Sequence, residues 1–292
     1  MIPEFGTSTH AIAGFGEDPK PFEQSVAEVA ECGYSHLLLL CSEAGPPVDS
    51  DGRAPSSFVN LLKSDIDGLN RRVASHGLRI SAVYPGFGLF ELSPEGIAIT
   101  VEKLKPYREL AWQLGTHTMI HPAGTSEDPK GAHVNKKPHI ESLAEIMDSI
   151  ASDKPGEIFK MAADIHYGSS LQTLEDIRYF LDIAKVTNTG LCLNMGHMTT
   201  AKQEGWTLIE DYPDRVHVLA WKDHIPSEDP AHPVVSIELG KGITPFKKYI
   251  EVLDRTEVDA ISLITFEDVP VPEKKEALKR SRDHMVGLML KA

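Results

Sequence analysis

Cysteine is scarce in this sequence. The 292 residues hold three, Cys32, Cys41 and Cys192, an odd number with no CxxC spacing, which excludes a disulfide framework and a thiolate metal centre and leaves them reduced and mostly buried. Long apolar runs are missing too, since no stretch approaches the roughly 20 residues that a membrane span needs. The amino terminus, MIPEFGTSTH, carries neither a basic flank nor an apolar core with a small-residue cleavage site, so a cytoplasmic location is expected. Positive charge is in deficit, with 29 Lys and Arg against 43 Asp and Glu and a net charge of −14. Such a field repels phosphate backbones and anionic headgroups, which disfavours nucleic-acid and membrane partners, and the basic cluster KKEALKR reads as the solvated face of a last helix. No arginine cluster marks a phosphate site. No GxGxxG opens the first helix, so no nucleotide cofactor is expected. Linkers rich in Pro, Gly or Ser are also absent, and residues 1–292 read as one domain.

What is present is alternation. Apolar, β-branched runs at 5–10, 34–41, 78–84, 116–121, 158–165, 190–195, 216–222 and 260–267 predict eight strands. Between them, helical periodicity predicts helices near 21–32, 57–76, 94–114, 137–151, 171–186, 199–211, 244–255 and 272–290. Gly33, Gly77 and Gly115 stand where a left-handed residue would close a helix. Strands that read as near-continuous apolar runs, each followed by a crossover helix, imply a parallel sheet covered by helices. Eight such units favour a closed (β/α)8 TIM barrel over an open doubly wound sheet, and the length suits one barrel of about 250 residues with additions.

In a barrel of this kind chemistry gathers where the strands end. The polar residues at those ends are His10, Tyr84, His121, Asp164 with His166, Asn194 with His197, Lys222 with Asp223 and His224, and Glu267. Asp164 and Glu267 are the sharpest pair, because carboxylates rarely end apolar strands without a partner or a task. They can pass a proton between two atoms of a bound substrate, or serve as structural partners of Lys222. Lys222 can polarise a carbonyl or steady an enolate oxygen. Trp221, Phe266, Tyr84 and Phe87 are candidates for an apolar wall, with the core as the alternative. Cys41 and Glu43 stand after the second strand, where SEAGPPVDSDGRAPS is expected to form a flexible flap.

Seven segments then carry a resemblance: HGLRISAVY, LGTHTMIHPAG, DIHYGSSLQTLEDIRYFLD, GLCLNMGH, AWKDH, ELGKGITPFKKYIEVL and ISLITFE. Their order and spacing resemble the xylose isomerase-like TIM barrels, the superfamily of sugar phosphate isomerases and epimerases that includes inosose dehydratases and endonuclease IV. The resemblance implies one divalent metal (Mn, Co, Mg, Zn or Fe), held by a glutamate ending strand five, an aspartate on strand six, the histidine of an HxKD motif on strand seven and a glutamate ending strand eight. Here those positions are Asp164, Asn194, Ala220 and Glu267, so one imidazole and one negative charge are gone, which weakens a hard-cation site. A rearranged set of His121, Asp164, His197 and Glu267 is the alternative, because the endonuclease branch uses histidines on strands four and six. The resemblance also places His197 and His166 at substrate or metal and matches Lys222 and Asp223 to the last two residues of HxKD.

The expected function is an isomerase or epimerase acting on a small sugar-like substrate. Asp164 and Glu267 would be the acid and base, with Lys222 and His197 standing in for the metal if it is absent, and His10, Tyr84, His121, His166, Trp221 and Asp223 would bind substrate. The alternatives are a lyase or dehydratase, including β-elimination of a 3-keto-glycoside, and a degenerate barrel that binds a sugar without turnover. Homo-oligomers are common in the family.

Overall fold

The eight apolar runs all become strands, and they pair as buried parallel strands must, edge to edge until no edge remains. The computed structural model describes residues 4–14, 20–86, 92–124, 136–227 and 234–291. In chain order its strands are β1 (Phe5–Ser8), β2 (His36–Cys41), β3 (Arg79–Pro85), β4 (Thr118–Pro122), β5 (Lys160–Asp164), β6 (Thr189–Asn194), β7 (Val216–Trp221), β8 (Asp223–Pro226), β9 (Val234–Ile237) and β10 (Ile261–Ile264). Eight close a parallel barrel in the ring order β1, β10, β7, β6, β5, β4, β3, β2, while β8 and β9 form a separate antiparallel hairpin.

The helices are α1 (Thr9–Ala13), α2 (Phe22–Glu31), α3 (Ile66–Ser75), α4 (Pro94–Gln113), α5 (Lys137–Ala151), α6 (Leu174–Ile183), α7 (Met195–Thr200), α8 (Thr207–Asp211), α9 (Phe246–Leu253) and α10 (Lys274–Met289). Gly33, Gly77 and Gly115 follow α2, α3 and α4 with φ of +80°, +71° and +74°, the left-handed geometry that ends a helix. No described helix is long and apolar enough to cross a membrane.

Two populations of buried side chains follow from the two-residue period of the strands. One fills the barrel interior with Leu38, Ile120, Ala162, Cys192, Ala220 and Leu263. The other, which includes Leu37, Leu39, Met119, Leu191, Leu219 and Trp221, packs between the strands and the helices. At the N-terminal end of the barrel the His36 ring lies over Gly6 of the neighbouring strand, where any Cβ would overlap it.

Several boundaries differ from the sequence reading. The first strand stops at Ser8 because Thr9–Ala13 turn into α1. The single helix expected over 57–76 is a short 3-10 turn at Leu61–Lys63 followed by α3, and that expected over 199–211 is split into α7 and α8. The segment after β2 is not a loose flap. Asp49 Oδ1 accepts from the Asp51 and Arg53 amides, Asn60 Nδ2 donates to the Glu43 carbonyl at 2.6 Å, and Val48 and Ala54 are buried.

Candidate active site

The C-terminal ends of the barrel strands surround a cavity of about 350 Å³, toward the small end of the range for small-molecule sites. The interior parity of each strand decides which residues reach it. On β7 the inward positions run Val218, Ala220 and then Lys222, just past the strand; on and just past β10 they run Leu263, Thr265 and Glu267. His10, Tyr84, Asp164, His166 and Asn194 also line the cavity. Seven of the polar residues singled out in the sequence are therefore brought together.

Glu267 is clamped from several sides. Lys222 Nζ donates to its Oε1 at 2.6 Å, and His10 Nε2 lies 3.3 Å from the same oxygen. Lys274 Nζ, itself buried over the Phe266 ring, donates to the Glu267 carbonyl, and the Glu267 amide donates to Ser236 Oγ of β9. Burial would push the Glu267 carboxyl up, but the Lys222 ammonium and the His10 ring outweigh it and hold it well below the usual carboxylate range. Burial lowers the His10 pKa, against the opposing pull of Glu267.

Asp164 is the second anchored carboxylate. Its Oδ2 receives the Tyr84 hydroxyl at 3.3 Å and lies 3.1 Å from His166 Nδ1. Burial again pushes its pKa up, and His166, Lys222 and the Asn194 side chain together bring it below the ordinary value. Between the two carboxylates around the wall stand Lys222 and Asn194, because β7 and β6 separate β10 from β5. Asn194 Oδ1 is buried at this wall with no hydrogen-bond partner among the described residues, so a donor from a bound molecule would remove a desolvation cost.

Four expected site residues are placed elsewhere. His121 follows the inward Ile120, so it faces the helices; it is fully buried, its Nδ1 lies 2.7 Å from the Pro122 carbonyl oxygen, and burial lowers its pKa to about 4. Trp221 follows the inward Ala220 and packs outward near Phe246, ring centres 6.0 Å apart. Asp223 begins β8, and its two oxygens accept the amides of His224, Gly240, Gly242 and Thr244 at 2.8–3.1 Å, so it braces the loop after β9 and is not among the residues that line the cavity. His197, on α7, stands behind His166, with ring centres 4.0 Å apart, and meets His224 edge-on at 4.7 Å. Phe266 is buried in the core, Glu43 is exposed outside the cavity lining, and Phe87 lies outside the described residues.

The donor set does not suit a divalent cation. Such an ion needs several converging ligands, and among the described residues no group of three His, Cys, Asp or Glu side chains is arranged to hold one. Asn194 offers an amide and Ala220 a methyl where the family pattern has a carboxylate and an imidazole. The Lys222 ammonium already occupies the Glu267 oxygen at 2.6 Å, so an incoming cation would meet like charge. The rearranged set is not assembled either, with His121 turned outward and His197 stacked behind His166.

Sequence reasoning passed over part of the lining. Leu40, Phe58 and Ile120 form walls of the cavity, yet an apolar residue in an apolar run carries no mark of its own. Lys274 was visible only as one charge in a basic helix, and its burial depends on tertiary packing.

No curated protein matches the chain. Among solved structures, the IolI protein with a bound zinc atom superposes with a TM-score of 0.75 at 12% identity, covering 99% of each chain. An L-ribulose 3-epimerase gives 0.71 at 17% identity, over 99% of this chain and 95% of that one. A probable 3-DHS dehydratase, AsbF, from Bacillus anthracis gives 0.69 at 13% identity, over 97% of this chain and 99% of that one. At these identities the likeness speaks for the fold. The family profile described as xylose isomerase-like TIM barrel matches residues 26–286, and the chain belongs to that family.

Proposed function

We propose that this protein is an enzyme that moves a proton next to the carbonyl of a small, unphosphorylated polyhydroxy ketone or aldehyde, as an isomerase or epimerase. The observation that supports it is the pair of anchored carboxylates on one cavity wall, Glu267 held by Lys222 and Asp164 held by His166, with Lys222 between them. Glu267 is kept anionic and takes the proton from the carbon beside the carbonyl. The electron pair of that C–H bond moves to the carbonyl oxygen, and the Lys222 ammonium stabilises the resulting enediolate electrostatically. Asp164 and the half-exposed His166 handle the proton on the opposite side. Return of a proton to the same carbon from the other face gives an epimer, and return to the neighbouring carbon gives an isomer.

Elimination is the second reading, because His166 beside Asp164 is placed to protonate a departing oxygen. It shares the first proton abstraction and ends with a leaving group expelled.

The test is loss of the proton signal next to the carbonyl, followed by NMR in deuterated water over a panel of keto-sugars. Exchange is expected in the wild type, with a fall of about 10²–10⁴-fold in Glu267→Gln. Exchange that continues at the wild-type rate in that variant would remove Glu267 as the base, and binding without exchange would identify a noncatalytic sugar-binding barrel. Mass spectrometry of the products separates isomers from eliminated ones.

A further inference from the structure

The polar and the carbon-lined parts of the cavity are sorted around the barrel. Going round the ring from the end of β1 through β10, β7 and β6 to β5, the wall presents His10, Glu267, Lys222, Asn194 and Asp164, an unbroken arc of hydrogen-bonding groups over five adjacent strands. The remaining three strands give carbon: Ile120 from β4, the Tyr84 ring from β3, and Leu38 and Leu40 from β2, with Phe58 from the segment after β2. Tyr84 reinforces the division, because its hydroxyl is turned across to Asp164. Ser42, just past β2, is the one hydroxyl on the carbon side among the described lining residues. The inner end is carbon as well: Ala220 stands where the family pattern has an imidazole, flanked by Leu263 and Cys192, and burial raises the Cys192 thiol pKa well above the ordinary value, keeping it uncharged.

Charge is sorted too. Among the described lining residues Lys222 is the one fixed cation, and Glu267 already engages it, while Asp164 adds a further negative charge. A phosphate or carboxylate would find no free cation among the described lining residues. Away from Ser42, a hydroxyl pressed against Leu40, Phe58 or Ile120 would lose its water without gaining a side-chain partner among the described residues, a cost that a hydrogen or methyl in its place does not carry.

We infer that the cavity selects an uncharged ketone that is hydroxylated along one edge and bare hydrocarbon along the other, a deoxy or alicyclic ketol, over a fully hydroxylated sugar or a sugar phosphate. The hydroxylated edge meets Asp164, Asn194 and Glu267, where the buried Asn194 oxygen accepts a substrate hydroxyl. The hydrocarbon edge lies on Leu40, Phe58 and Ile120. This rests on the function proposed above and names its substrate class.

The experiment is calorimetric titration of the full chain with matched pairs, 6-deoxy-D-fructose against D-fructose and 6-deoxy-L-sorbose against L-sorbose, with fructose 6-phosphate as the anionic probe. The deoxy member of each pair is expected to bind about ten-fold tighter or better, with the phosphate weakest. Leu40→Asn should bring each pair within about two-fold by giving the hydroxyl a partner. Phe58→Ser, in a segment outside the barrel strands, provides the same test if Leu40→Asn unfolds, and thermal melts establish which variants are folded. Equal or tighter binding of the parent sugars, tighter binding of the phosphate, or no binding of any probe at millimolar concentration would overturn the inference. Deoxy preference without deuterium exchange leaves it standing and removes the proton-transfer reading. Exchange on hexuloses that bind as well as their deoxy forms does the reverse.

Discussion

Removing Lys222 alone should destabilise the fold more than removing Lys222 and Glu267 together. The ion pair is short, 2.6 Å, with the lysine side chain 4% and the glutamate 29% exposed. Deleting one partner of a fully buried pair costs about 3–5 kcal/mol, because the other charge stays desolvated without compensation. Glu267 keeps some contact with solvent and retains His10 at 3.3 Å, so Lys222→Met should fall below that range, at about 2–3 kcal/mol. The double variant Lys222→Met/Glu267→Gln strands no charge and should lie within about 1–2 kcal/mol of the wild type. Urea unfolding of the wild type, both single variants and the double variant at pH 7.5 closes the cycle, with an expected favourable coupling of about 2 kcal/mol. Additive single costs would show that the two groups do not hold one another, and the electrostatic account of the site would fail with them.

Acid should unfold the protein early. Burial holds His36, His121 and His217 each at a pKa of about 4 against an ordinary 6.5. Their folded pKa values are depressed, so the unfolded chain takes up protons first; the stability is complete above pH 6.5 and decays as pH falls toward 4. Near pH 5 each costs about 2 kcal/mol, and urea midpoints that stay level between pH 7.5 and 5 would contradict the burial. Gly6→Ala drives a methyl into the His36 ring and should cost about 2–4 kcal/mol, visible as a lowered melting temperature; an unchanged melt would mean the ring moves aside freely. Asp223→Ala strands four backbone amides, so a loss of about 3 kcal/mol and faster proteolysis near 238–244 are expected, with wild-type resistance as the contrary result.

The strands were legible because a parallel strand covered on both sides is apolar throughout, and three of the helices between them, α2, α3 and α4, end at the left-handed glycines expected for them. Asp164, Lys222 and Glu267 were legible for the same reason, as charges closing apolar runs. The side of the wall was not. A strand buried on both faces has no polar and apolar alternation to reveal which residues point inward. Ile120 and His121, Ala220 and Trp221, and Lys222 and Asp223 are consecutive pairs whose members face opposite ways, and in each pair the sequence alone promoted the outward member along with any inward candidate. The β8–β9 hairpin was missed because its strands are four residues each and one begins at the carboxylate that anchors a distant loop. The departure from the family's ligand pattern at Asn194 and Ala220 was legible in the sequence, whereas the positions of His121 and His197 outside the described cavity lining depend on directions that only the fold supplies.

The adjacency of Lys222 and Asp223 constrains how this barrel can change. One side chain points into the cavity while the next gathers the amides of the following loop. A single residue inserted within β7 would carry Lys222 into the place of Asp223, setting an ammonium among four N–H donors, whereas a single deletion would bring Asp223 into the place of Lys222, a third carboxylate beside Glu267 and Asp164. Both arrangements are electrostatically unfavourable. Length variation is therefore confined to the connections, and diversification along β7 must proceed by replacement in place. Ala220, two residues before the lysine on the same inward row, is a change of that permitted kind.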